Sequence, residues 1–165
     1  MSEIKKKKIT IPTYRVGEPE PLPLYFEKRP YQGASGRIYP IPYVSSLSDD
    51  KKDYGYDGYV LENEYIRAVL LPELGGKVHC ALDKTNGYDF IYNNKVIKPA
   101  MVGLAGPWVS GGIEFNWPQH HRPTTFMPVE HAEGKLDGKK AVFMGEVDYF
   151  HQMKGNVALS VDEGS

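Results

Sequence analysis

Reactive side chains crowd into one stretch of this chain as nowhere else in its 165 residues: Trp108-Val-Ser-Gly-Gly-Ile-Glu-Phe-Asn-Trp-Pro-Gln-His-His-Arg-Pro-Thr-Thr-Phe-Met-Pro128. Histidine exchanges its proton near neutral pH, so His120 and His121 are candidates for acid or base chemistry, with Glu114 as a third candidate catalytic group. Arg122 carries a fork of donors suited to hydroxyls or a carboxylate. Asn116 and Gln119 add amide donors and acceptors. Trp108 shares the parity of Glu114 and offers an aromatic face for stacking. Trp108, Asn116, Gln119 and Arg122 are therefore the expected substrate-binding residues.

Other readings of the same residues stay open. Both imidazoles can be rim residues that tie a loop to backbone carbonyls. Glu114, His120 and His121 are all metal-ligand types, but adjacent histidines on an extended backbone point to opposite sides. Neither His-x-His nor His-x-x-x-His occurs here, so no metal is expected. Glu114 can also be half of a glycosidase pair, which needs two carboxyl groups about 5–10 Å apart. Glu73, Glu130 and Asp148 are possible partners, yet no motif places one opposite. That favours Glu114 as a hydrogen-bonding residue for sugar hydroxyls or for Arg122. Trp117, with the parity of Ile113 and Phe115, reads as packing, and Phe126 is a lesser stacking candidate. His79, His131 and His151 sit in strand patterns and read as satisfied or solvent-facing.

The elements that must position this cluster are strands. After Gly111 and Gly112, Ile113, Phe115 and Trp117 alternate with Glu114 and Asn116, which predicts a strand with one buried and one polar face. Pro118 ends it, and residues 119–122 follow as a loop. Upstream, Tyr65–Leu71 is nearly all apolar, as a strand buried on both faces should be. Pro72-Glu-Leu-Gly-Gly76 then turns the chain into a strand over Lys77–Leu82. Asn86-Gly87 is a hairpin signal leading to Tyr88–Tyr92, and Asp137-Gly138 joins strands over Val129–Leu136 and Lys139–Phe150. Val157–Val161 reads as one more strand. Residues 95–107 are expected to be an ordered loop, and Ser45–Tyr59 a polar surface loop.

At the N-terminus, Ile9 and Ile11 allow a short first strand, and the prolines at 12, 19, 21 and 23 imply an extended arm. Lys5 to Lys8 read as a solvated end. Strands about every ten residues with no helical period indicate an antiparallel all-β sandwich. Such domains often run to roughly 200–250 residues, so a stop at a fresh strand suggests the N-terminal part of a longer domain, with an unpaired sheet edge open to self-association. Twenty basic against 21 acidic residues leave a net charge of -1, so neither nucleic acid nor an anionic membrane is an expected partner. The lone Cys80 fits a reducing compartment, and no apolar stretch follows the basic N-terminus. A cytoplasmic location and no cofactor are expected.

Leu70-Leu-Pro-Glu-Leu-Gly-Gly-Lys-Val78, followed by Asp83-Lys-Thr-Asn-Gly-Tyr-Asp-Phe90, resembles the opening of a galactose-mutarotase-like domain. The stretch from Gly111 to Phe126 is similar to the signature of a bacterial family of unknown function in that superfamily, whose members often carry tetratricopeptide repeats further along. The resemblance covers most of residues 37–161. It implies an arm over 1–36 and, over 37–165, an antiparallel super-sandwich of galactose-mutarotase type whose concave face holds a carbohydrate. In the sugar epimerases of this fold, a histidine protonates the ring oxygen and a late glutamate takes the proton of the anomeric hydroxyl. His120 or His121 suits the first role, and no residue matches the second. The expected function is carbohydrate binding within a larger sugar-processing protein. The alternatives are an aldose epimerase or glycosidase whose carboxylate lies beyond residue 165, and a structural scaffold for downstream repeats.

Overall fold

Alternating side chains decide the architecture. In the computed structural model, which describes residues 2–21, 23–25, 38–118 and 121–164, the strands are β1 (Glu3–Val16), β2 (Pro23–Tyr25), β3 (Ile38–Pro42), β4 (Leu47–Glu62), β5 (Ile66–Leu71), β6 (Lys77–Asp83), β7 (Tyr88–Asp89), β8 (Ala100–Gly103), β9 (Gly106–Trp108), β10 (Glu130–Leu136), β11 (Lys139–Asp148) and β12 (Met153–Leu159). No helix occurs among the described residues, and every strand pair is antiparallel. The chain is an all-β sandwich. One sheet has the order β1-β4-β5-β6-β7 and a second β10-β11-β12, with β2-β3 and β8-β9 as small ribbons.

The five-stranded sheet is covered on both faces. Val60, Val69 and Leu71 pack on one side with Ile11, Tyr56, Ile97 and Val109. Their neighbours Tyr59, Leu61 and Leu70 pack on the other with Val142 and Met144 of β11. This is why β5 carries so few polar residues: successive side chains enter different cores. A third cluster of Ile41, Val44, Ala105 and Phe126 sits at the loop that joins β9 to β10.

Four expectations are corrected. Ser45–Tyr59 is not a loop, because β4 begins at Leu47 and pairs with β1 as far as Glu3 opposite Glu62. Its polar side chains from Asp49 to Asp53 are exposed, so ladder hydrogen bonds hold them in a strand with no apolar alternation to announce it. By the same pairing, the short first strand is a 14-residue edge strand carrying Lys5 to Lys8, and lysines there discourage pairing with another chain. Residues 95–107 hold most of the β8–β9 hairpin, in which Gly106 takes φ 106° and lies so close to Val44 that a Cβ would be 2.2 Å from its carbonyl oxygen. The last strand covers Met153–Leu159 rather than 157–161. It pairs only with β11 among the described residues, while Val161 packs on the second core and Asp162 O accepts from Asn63 Nδ2 at 2.7 Å.

Candidate functional site

The loop from Val109 to Val129 joins β9 to β10, and the expected strand over residues 113–117 is absent from it. A single antiparallel bridge ties Ile113 to Val78, through N–H···O bonds of 2.8 and 3.1 Å. Gly112 makes this approach possible, since at φ 73° a Cβ would lie 2.2 Å from Val78 O. The parity argument therefore fails at its first residue. Ile113 is exposed, while Phe115 packs on the second core and Asn116 is exposed.

Beyond the bridge the chain builds a cluster around one carboxylate. Glu114 Oε2 accepts from Trp108 Nε1 at 2.9 Å and from Thr125 Oγ1 at 2.7 Å, and Oε1 lies 2.7 Å from His121 Nδ1. Burial pushes the pKa of Glu114 up, but the hydrogen bonds from Thr125, His121 and Asn116, with a smaller contribution from the charge of His121, reverse this. The net shift is downward and the group is a carboxylate at neutral pH. An ionised carboxylate only accepts, so the Nδ1 of His121 carries a proton, which leaves Nε2 as the acceptor in the neutral ring. The His121 side chain is 41% exposed and that of Glu114 16%. The Trp108 ring lies 5.0 Å from the imidazole at a tilt of 48°.

Arg122, the next residue, turns the other way. The fork expected to meet a ligand is only 1% exposed. Its terminal nitrogen donates to Gly75 O at 2.7 Å, and Nε lies 3.0 Å from Glu146 Oε1, which also accepts from Thr124. The guanidinium sits 4.4 Å from the Trp117 ring centre, and that ring lies so close on Gly155 of β12 that a Cβ there would be 2.1 Å away. The Arg122 N–H donates to Asn116 Oδ1 at 2.9 Å. Gly75, at φ 69°, approaches the same loop: its N–H donates to Met127 O, and a Cβ would meet Thr125 O at 2.1 Å. The Gly-Gly turn and the loop motif are thus two halves of one junction.

Of the expected site residues, the structure brings Trp108, Glu114 and His121 into direct contact, and joins Asn116 to Arg122 behind them. Gln119 and His120 lie outside the described residues. Sequence reasoning missed Thr125, which nothing in a Pro-Thr-Thr context distinguishes, and Lys77. Lys77 is buried at the start of β6 and donates to Val109 O at 3.1 Å. Burial lowers its pKa to about 8, opposed by the negative charge of Glu114. Burial, then the charges of Lys77 and Lys95, lower His79 to about 4, so it is neutral at pH 7. A charged residue opening an apolar strand was the available signal. Among the described residues, no group of three or more His, Cys, Asp or Glu is arranged to hold a metal ion.

Residues 34–164 match the family described as Domain of unknown function (DUF5107). The fold is similar to the crystal structure of a TPR-domain containing protein from Parabacteroides distasonis, with a TM-score of 0.84 and 26% sequence identity. The likeness covers 99% of this chain and 27% of that one, so this chain spans about a quarter of the length of that protein.

Proposed function

We propose that this chain, which belongs to the family described as Domain of unknown function (DUF5107), binds carbohydrate at the rim formed by Trp108, Glu114 and His121. The observation that carries the reading is the carboxylate of Glu114, fixed by an indole, a hydroxyl and an imidazole, with the imidazole half-exposed beside the indole. Sugar recognition calls for an aromatic body together with oriented charged acceptors and donors, because one face of a pyranose is apolar and its edge is lined with hydroxyls. The galactose-mutarotase resemblance of the Gly-Gly turn and the loop motif points the same way. Tied to Glu114, His121 can take a proton from a sugar hydroxyl through Nε2 or, when protonated, donate one. Titration of the protein with mono- and oligosaccharides, read by amide chemical shifts, tests the proposal. Shifts at Trp108 and His121 that vanish in Trp108→Ala and Glu114→Gln support it, and shifts unchanged in both folded variants sink it.

A second reading is a structural β domain within a repeat protein, favoured by the description of the Parabacteroides distasonis protein as TPR-domain containing. It gains if no sugar shifts any resonance of the cluster.

A further inference from the structure

The outer strand of the five-stranded sheet leads into this rim. Tyr88 and Asp89 of β7 pair with Asp83 and Leu82, and the extension continues as Phe90 N–H donates to Ala81 O at 3.0 Å. Tyr92 then meets the functional loop, its carbonyl accepting from Gly112 N–H at 2.6 Å, two residues before Glu114. β7 itself ends at Asp89, and the chain bends at Ile91 before it meets the loop. Ile91 packs into the second core, while Tyr88, Phe90 and Tyr92 are 65%, 46% and 75% exposed. Three unburied aromatic side chains within five residues mark a contact surface.

We propose that Tyr88, Phe90 and Tyr92 are stacking platforms that extend the rim, so that the ligand is a linear glycan several sugars long and not a single sugar. This rests on the carbohydrate reading and adds the length of the ligand to it. Three rings outside the rim offer more stacking area than a single sugar covers. Polar groups accompany the rings, as the hydroxyl edges of stacked sugars require. Asp89 pairs with Lys95 at 3.1 Å, Lys95 also donates to Asn93, and the Tyr92 hydroxyl donates to Asn94 Oδ1 at 3.0 Å. One acid balanced by one base makes the strip neutral, which suits a neutral glycan better than a nucleic acid or a polyanionic polysaccharide.

The test titrates the whole chain with ladders of one to six units built from glucose, mannose, galactose or xylose, read by calorimetry. At least one ladder should gain about 10-fold to 100-fold in affinity between one and four units. Tyr88→Ala/Phe90→Ala/Tyr92→Ala should erase that gain while leaving the affinity for the single sugar. Tyr92→Ser, at the most exposed ring, should remove part of it and guards against misfolding of the triple variant. Glu114→Gln separates the two readings: it weakens every rung if the rim holds a sugar, and it leaves the ladder intact if the row binds alone and the rim reading is wrong. The inference is overturned by an affinity flat with length, by a gain that survives both aromatic variants, or by no binding to any ladder. A triple variant that loses only concentration-dependent self-association would likewise overturn it, by assigning the row to a second copy of the chain.

Discussion

His121 and Arg122 are neighbours in sequence, each beside a glutamate, and they do opposite things. The His121–Glu114 pair is part-exposed and faces the rim, whereas in the Arg122–Glu146 pair the guanidinium is 1% exposed, stacked on Trp117 and bonded to Gly75. The two adjacent side chains diverge, one left at the surface and the next accommodated inside. Removing one member of a buried charged pair leaves its partner uncompensated, while an exposed pair is already close to its hydration energy. Arg122 thus holds the loop that displays His121.

The largest test of this contrast is Arg122→Ala, which strands Glu146 and removes the donor to Gly75 O. Its expected cost is about 3–5 kcal/mol in urea unfolding, and a loss below about 1 kcal/mol would erase the difference between the two pairs. Arg122→Lys should recover only part, because an ammonium lacks the fork.

Lys77→Met sharpens the contrast from the other side, since this cation is buried without a carboxylate bonded to it. With a folded pKa of about 8 against an ordinary 10.5, the cost of charging Lys77 is complete below pH 8 and relieved as the pH rises towards 10.5. The stability of the wild type relative to Lys77→Met should therefore rise by roughly 3 kcal/mol between pH 7 and 10.5. A constant difference across that range in thermal unfolding would contradict a buried ammonium.

Glu114→Gln should cost roughly 1–3 kcal/mol at pH 7, because an amide cannot accept from Trp108, His121 and Thr125 on both sides. The folded pKa of Glu114 lies below its ordinary 4.5, so the stability it contributes is present above that value and lost as the pH falls through the folded one. The gap between wild type and variant should close on acidification below pH 4.5, and a gap that widens would contradict the assignment. The smallest effect belongs to His121→Ala, expected within about 1 kcal/mol in the same unfolding measurement. A loss as large as that of Arg122→Ala would make both pairs structural.

The strands and hairpins were legible where local chemistry alone sets them. Gly87, at φ 75°, and the Asp137-Gly138 pair, at 50° and 81°, adopt the positive φ values their turns use. Of the apolar run Tyr65–Leu71, Val69, Leu70 and Leu71 are buried between two cores, as its composition demanded, whereas Tyr65 and Arg67 are exposed. The polar half of β4 was not legible, because exposed side chains carry no record of a ladder formed with a strand some 40 residues away. Of the cluster, the sequence alone picked out Trp108, Glu114 and His121 by the density of reactive types in one stretch, but not Thr125. What only the tertiary structure decided is which way each one faces. Pro118, the glycines at 111 and 112 and the bridge to Val78 break the period of two on which parity depends, so Ile113 is exposed. The inward turn of Arg122 follows from Gly75 and Glu146, partners distant in sequence, and desolvating a guanidinium is tolerable only where such partners meet it.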